Sequence, residues 1–268
     1  MRAVVWLAAG LGGLCWAQSE AHCTSTGPCY SEGGLVNGAS FVAGALAPNT
    51  LATLFGSRLA WGTRAITWED VEAGALPTVL PGTGVRVLVS DRPAQIYFVS
   101  PTQVNFLIPT NLTAGEVTIQ LVRDATAGPP LRVRLRETAP ALFLLDPETV
   151  IATRKDFSLI RREQPARPGE EIILWATGLG PTVPPQVYGR IPTAASRIER
   201  ARSFAVLLDG AAVAPERISY VGVAPGFAGL YQINLTLPEE LNENPEVRIA
   251  VGADISPPGL RLAARRSD

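Results

Sequence analysis

The sequence predicts an all-β chain of two tandem antiparallel β-sandwich domains, and three observations carry that expectation. Proline and glycine are dense, 23 and 25 of 268 residues, which fits many short elements divided by turns. The segments between those turns are short and alternate apolar with polar residues, as strands with one buried face do. Three blocks of sequence recur in the same order, so one plan is written twice.

The first block is Pro48 to Leu59, which returns as Pro168 to Leu179 at an offset of 120. Within it Leu54 matches Leu174, Phe55 matches Trp175 and Leu59 matches Leu179. The second is Val87–Asp91 against Val206–Gly210, offset 119. The third is YFVSPTQVNFLIP, residues 97–109, against YVGVAPGFAGLYQINLTLP, residues 220–238, with Gln103–Pro109 and Gln232–Pro238 offset by 129.

Each block reads as strand. Val85–Val89 is β-branched and bounded by Gly84 and a Ser90-Asp91 turn. Gln103–Ile108 alternates, with Val104, Phe106 and Ile108 on one face. Gln232–Leu237 alternates more cleanly, with Ile233, Leu235 and Leu237 inward. Residues 116–122 and 246–251 each add a strand of the same style. Residues 139–165 match neither copy. They read as the entry to the second domain, with a hairpin around Arg154-Lys155-Asp156. The end of the chain, AARRSD, reads as a frayed tail.

The first residues carry a different message. Arg2 precedes an apolar run from Ala3 to Trp16, with small residues at Cys15 and Ala17. That pattern is expected of a signal peptide, 1–17, cleaved after Ala17. An uncleaved anchor and a lipoprotein signal on Cys15 are the alternatives. The expected organisation is a signal (1–17), a Cys-containing segment (18–34), a first sandwich (35–138) and a second (139–268). In an exported chain Cys23 and Cys29, separated by TSTGP, are expected to pair. The other reading is a zinc site with His22, which lacks further ligands.

The stretches LVNGASFVAGALAPNTLATLFGSRLA, YFVSPTQVNFLIP, APALF, ARPGEEIILWATGLGP and YVGVAPGFAGLYQINLTLP carry a resemblance. Together they resemble the uncharacterised secreted C-terminal domain family of Solibacter and other Acidobacteria, in that family's order. The resemblance implies secretion and a β-rich fold, and implies no reaction. The PNTLATLFGSRLA and PGEEIILWATGLG blocks also resemble the start of immunoglobulin-like IPT/TIG domains. Two immunoglobulin-like sandwiches are the fold that this second likeness implies.

The composition excludes several functions. Net charge is −1, which gives no general attraction to nucleic acid. His22 is the single histidine and lies outside the repeats, so a catalytic histidine in the repeated body is excluded. No G-x-S-x-G, P-loop or H-E-x-x-H is present. Catalytic, cofactor and metal residues are accordingly expected to be none. Two acidic clusters, Glu69-Asp70-Glu72 and Glu239-Glu240-Glu243-Glu246, read as solvated loop charges, with calcium binding or glycosidase carboxylates as the sharper alternative.

Tyr97, Phe98, Tyr220, Phe227 and Tyr231 flank the turns of the repeated block. They either plug the sandwich or contact a ligand. Phe227, Tyr220 and Tyr231 are the candidate ligand contacts, because the longer second copy puts Phe227 in a loop expansion. The expected function is a secreted, non-enzymatic binding, adhesion or structural module. Its partner is a protein or a polysaccharide, with no nucleic acid and no membrane span after signal cleavage. A carbohydrate-binding accessory module or an acid-residue glycan-active enzyme is the alternative.

Overall fold

The computed structural model describes Cys23 and residues 26–267. The expected signal segment, Cys15 and His22 lie outside the described residues. The chain is all-β, and its strands pair antiparallel. Among the described residues no helix is long and apolar enough to cross a membrane. The chain forms two compact units. One runs to Glu137 and takes in Val187–Ile191; the other comprises Thr138–Gln186 and Pro192–Asp268.

The first unit has two sheets. The larger is ordered Cys29–Asn37, Leu51–Ser57, Gln103–Leu107, Gln95–Val99, Arg64–Ala65. The smaller is ordered Leu131–Leu135, Gly115–Arg123, Val85–Val89, Arg92–Pro93. Leu54, Ile96, Val104 and Phe106 of the larger sheet share one buried cluster with Val87, Ile119 and Leu121 of the smaller. Two inner faces that supply one core define a sandwich. Val187–Ile191 belongs to this unit through the Leu76 N–H to the Gly189 carbonyl and Arg190 Nη2 to the Ala73 carbonyl.

The second unit repeats the plan. Its larger sheet carries Ala152–Arg154 on the edge of Glu171–Thr177, then Tyr231–Thr236, Ile218–Val223 and Ser196–Ile198. Its smaller sheet is ordered Ala211–Ala212, Phe204–Leu208, Val247–Val251, Asp254–Ile255. Leu174, Ile233 and Leu235 meet Val206, Ile249 and Val251 in its core. The central strands therefore follow the same order in both units, as the matching blocks predict.

The repeated Gln-x-Asn is scaffold chemistry. Alternate residues of a strand share a face, so Gln103 Nε2 donates to Asn105 Oδ1 at 2.9 Å and Gln232 Nε2 donates to Asn234 Oδ1 at 2.7 Å. The neighbouring strand is bulged in both copies, between Ile96 and Phe98 and between Ile218 and Tyr220. The bulge re-aims an aromatic ring and sets Phe98 opposite Asn105 and Tyr220 opposite Asn234. A turn phenylalanine with left-handed backbone covers the outer face in each unit. Phe41 (φ 56°) lies 6.1 Å from Phe55, and Phe157 (φ 65°) lies 6.3 Å from Trp175.

Two expectations change. The outer face of Gln103–Leu107 is largely buried rather than solvated. Asn105 Oδ1 takes a second hydrogen bond from Thr53 Oγ1 at 3.0 Å, and a satisfied amide tolerates burial. In the second copy Ile173 stands where Thr53 does, and the strand keeps clean alternation. The C-terminal residues are docked, not frayed. Ala166 N–H donates to the Ala263 carbonyl, Arg265 N–H to the Ala166 carbonyl, and Ala263 and Ala264 are buried.

Tyr30 ties the two sheets of the first unit. Its hydroxyl accepts the Leu121 N–H at 2.7 Å, and its ring packs where any Cβ on Gly128 would intrude. Burial pushes its phenol up to about 12, with the Leu121 hydrogen bond offsetting part of that rise. A folded value above the unfolded one means that this stability is complete below about pH 10 and is lost as pH rises towards 12. Tyr30→Phe leaves the Leu121 N–H without that acceptor and is expected to cost about 1–3 kcal/mol at pH 7 in urea unfolding. The variant should also lose less stability than the parent between those two pH values.

Candidate functional site

Of the three aromatic residues expected to contact ligand, Tyr231 is a correction. It is 0% exposed and its hydroxyl donates to the Gly180 carbonyl at 2.5 Å. It sits on the core face with Ile233 and Leu235, so no ligand reaches it. Tyr220 lies on the opposite face, half-buried. Its hydroxyl proton is shared between the carbonyls of Val223 at 2.8 Å and Ser196 at 3.2 Å, and Arg197 lies over its ring at 5.3 Å. The close approach needs Gly222, where a Cβ would fall 2.5 Å from that hydroxyl. Phe227 is half-buried in the turn between Ile218–Val223 and Tyr231–Thr236. The fold thus separates Tyr231 from Tyr220 and leaves Phe227 as the one turn-borne ring of the three.

A more exposed ring lies elsewhere. Trp61 is 72% exposed, on the loop that follows Leu51–Ser57. Leu59 and Ala60, both buried, anchor that loop. The indole is held in one plane from two sides. Its Nε1–H donates to Asp124 Oδ2 at 2.9 Å, and the Arg123 guanidinium lies 3.7 Å from its ring centroid. A cation over an indole face is attracted by the ring quadrupole. With the guanidinium on one face, the 72% exposure of the residue leaves the other face to solvent.

Arg123 is itself 3% exposed, and its guanidinium is fixed by backbone carbonyls. Nη2 donates to the Thr26 carbonyl at 2.8 Å, and Nη1 donates to the Arg58 carbonyl in a short hydrogen bond. Arg58 Nε donates to the Gly27 carbonyl at 2.9 Å. Thr26 and Gly27 lie inside the loop that Cys23 and Cys29 close, with Cα atoms 5.1 Å apart across a disulfide. Asp124 follows with φ 53°, its N–H bonded to the Gly84 carbonyl. A Cβ at Gly84 would fall 2.0 Å from Asp124 Oδ1, so only glycine leaves room for that carboxylate.

The second unit supplies an internal reference. Register pairs Val85 with Arg123 in one unit and Phe204 with Val251 in the other. The Asp124 N–H to Gly84 bond is matched by the Gly252 N–H to the Ser203 carbonyl. At the offset of Leu59 and Leu179, Trp61 corresponds to Pro181. The second copy therefore has Pro181, Val251 and Gly252 where the first has Trp61, Arg123 and Asp124. Comparing the copies for what departs from scaffold, rather than for which loop is longer, is the signal that finds this site.

The acidic clusters do other work. Asp70 accepts the Thr67 N–H and pairs with Arg64 at 2.5 Å, and the Thr67 hydrogen bond leads in holding its carboxyl below the usual range. Asp209, outside both clusters but bonded to the Glu246 N–H, is lowered likewise, with the Asn242 hydrogen bond leading. A general acid needs the opposite shift. Glu246 Oε1 accepts the Gly259 N–H at 2.7 Å. Among the described residues no group of three or more His, Cys, Asp or Glu converges as a metal-ligand set.

No family model matches the chain, and no curated protein matches it. Among solved structures it is similar to the surface glycan-binding protein PbSGBP-B from Prevotella bryantii, at 11% identity and a TM-score of 0.25, over 81% of this chain and 38% of that one. It is also similar to the Plexin A4 full extracellular region, domains 1 to 10, at 11% identity and a TM-score of 0.29, over 97% of this chain and 17% of that one. The chain thus spans well under half the length of either, and both likenesses are too slight to bear on its fold or function.

The links from disulfide to Arg123 to Trp61 make the indole a reporter of the Cys loop. Reducing Cys23–Cys29 is expected to move the Trp61 indole peak in a proton–nitrogen correlation spectrum, with the peak assigned by its loss in Trp61→Phe. The Trp175 indole, which donates to Thr153 Oγ1 at 3.1 Å in the other unit, should stay in place. An unmoved Trp61 peak after complete reduction would contradict the linkage.

Proposed function

We propose that the chain is a non-enzymatic binding module of the cell surface or of an exported assembly. The observation that carries this reading is Trp61, a large apolar ring left open to solvent yet held in one plane by Asp124 and Arg123. An ordered indole has little freedom left to lose on binding, and preorganised aromatic anchors dominate recognition surfaces. Export is supported by the Cys23–Cys29 disulfide, a bond that persists in oxidising compartments. Membership of the secreted Solibacter-type family, with two immunoglobulin-like sandwiches, belongs to the same proposal and rests on the sequence blocks quoted above.

The test is a paired screen of the parent and Trp61→Ala on polysaccharide and immobilised-protein arrays, with a glycoside-hydrolase panel alongside. Binding that falls about tenfold or more in the variant, equivalent to about 1.4 kcal/mol, is the expected outcome. Blank arrays together with turnover on the hydrolase panel would contradict it.

A further inference from the structure

The geometry points to a ligand class for the Trp61 plate: a neutral pyranose ring of a polysaccharide, stacked on the open indole face with a hydroxyl donated to Asp124. This inference rests on the binding reading above and narrows it.

The charges around the ring select the ligand. Arg123 lies 3.7 Å below the indole, so its positive charge already occupies the attraction that the ring offers to a cation. A cationic ligand on the other face would meet that like charge across one ring thickness. Asp124 stands exposed at the edge of the ring, where its carboxylate repels a phosphate, sulfate or uronate. A wholly apolar partner would cover the ring and also desolvate that carboxylate without replacing its water, which is costly. What remains is a flat, uncharged group with weakly positive C–H bonds on its face and hydroxyl donors on its rim. A pyranose ring has that form.

The acceptor is available and aimed. A carboxylate offers about four lone-pair sites on its two oxygens. Asp124 is exposed; its Oδ2 takes the Trp61 Nε1–H, while Oδ1 rests against Gly84 in the room that the missing side chain leaves. The hydrogen bond that fixes the indole plane therefore fixes the carboxylate too. A ring stacked on the indole meets an acceptor at a set height and edge. The second unit, with Pro181, Val251 and Gly252, has neither ring nor carboxylate at the corresponding positions.

The experiment is affinity electrophoresis of the full chain under non-reducing conditions in native gels. The gels contain hydroxyethyl cellulose, xylan or galactomannan, with polygalacturonate and chitosan as charged controls. Retardation by at least one neutral polysaccharide and by neither charged one is expected. Trp61→Ala should weaken it about tenfold or more. Trp61→Phe should retain part of it, and Asp124→Asn, which keeps one acceptor oxygen, should weaken it less than Trp61→Ala. Trp68→Ala removes another exposed indole and should leave it unchanged. Urea midpoints matched to the parent establish that each variant is folded.

Retardation only by a charged polysaccharide, or equal retardation of parent and Trp61→Ala, overturns the inference. A parent that ignores every neutral polysaccharide but loses a protein-array signal in Trp61→Ala overturns the ligand class and leaves the binding reading standing. A Trp61→Ala variant that matches the parent in every gel and on every array overturns both.

Discussion

The Arg123 guanidinium is the interaction on which the proposed site depends. It ends a central strand of the smaller sheet, Gly115–Arg123, and is buried between backbone carbonyls from two distant segments, Thr26 and Arg58. Burying a charge is unfavourable unless its donors are matched. Here Nη1 and Nη2 reach carbonyls, and the indole of Trp61 covers the face of the group. Among the described residues Nε has no hydrogen-bond partner. Lysine, a point charge without the planar fork, would not span the two carbonyls and also lie flat beneath the indole.

From that group the site can be followed outward in both directions. Toward the N-terminus, the Cys23–Cys29 loop presents the Thr26 and Gly27 carbonyls, and Tyr30, next to Cys29, crosses to Leu121 in the same strand that ends at Arg123. Toward the surface, Asp124 takes the indole N–H and leans over Gly84. The disulfide, the inter-sheet tyrosine and the exposed tryptophan are thus consecutive links of one structure. Sheet packing supplies the rigid base, and a short run of hydrogen bonds carries that rigidity to a ring in solvent.

Much of the fold was legible in the sequence because the strands alternate and the blocks recur. Val104, Phe106, Ile233 and Leu235 fall on core faces as their spacing demands. The Gln-x-Asn pair proved to be scaffold in both copies, as a repeated motif should be. The site was not legible in the same way. The loop expansion of the second copy pointed to Phe227 and, beside it, to Tyr220 and Tyr231, yet alternation itself puts Tyr231 on the core face with Ile233, its hydroxyl on the Gly180 carbonyl. Trp61, Arg123 and Asp124 come from two segments 62 residues apart between Trp61 and Arg123, brought together by sheet packing and the Arg123 hydrogen bond to the Arg58 carbonyl. The docked C-terminal residues escaped notice for a related reason. Ala263 and Ala264 lie beside Ala166 through backbone hydrogen bonds that side-chain character does not announce.

Trp61 is exposed and yet held by Asp124 and Arg123. The amplitude of motion of its indole N–H, measured by nitrogen relaxation in the intact oxidised protein, tests that most directly. An order parameter near that of the rigid backbone, about 0.85, is expected, whereas a value below about 0.6 would show a freely moving ring and contradict the held indole.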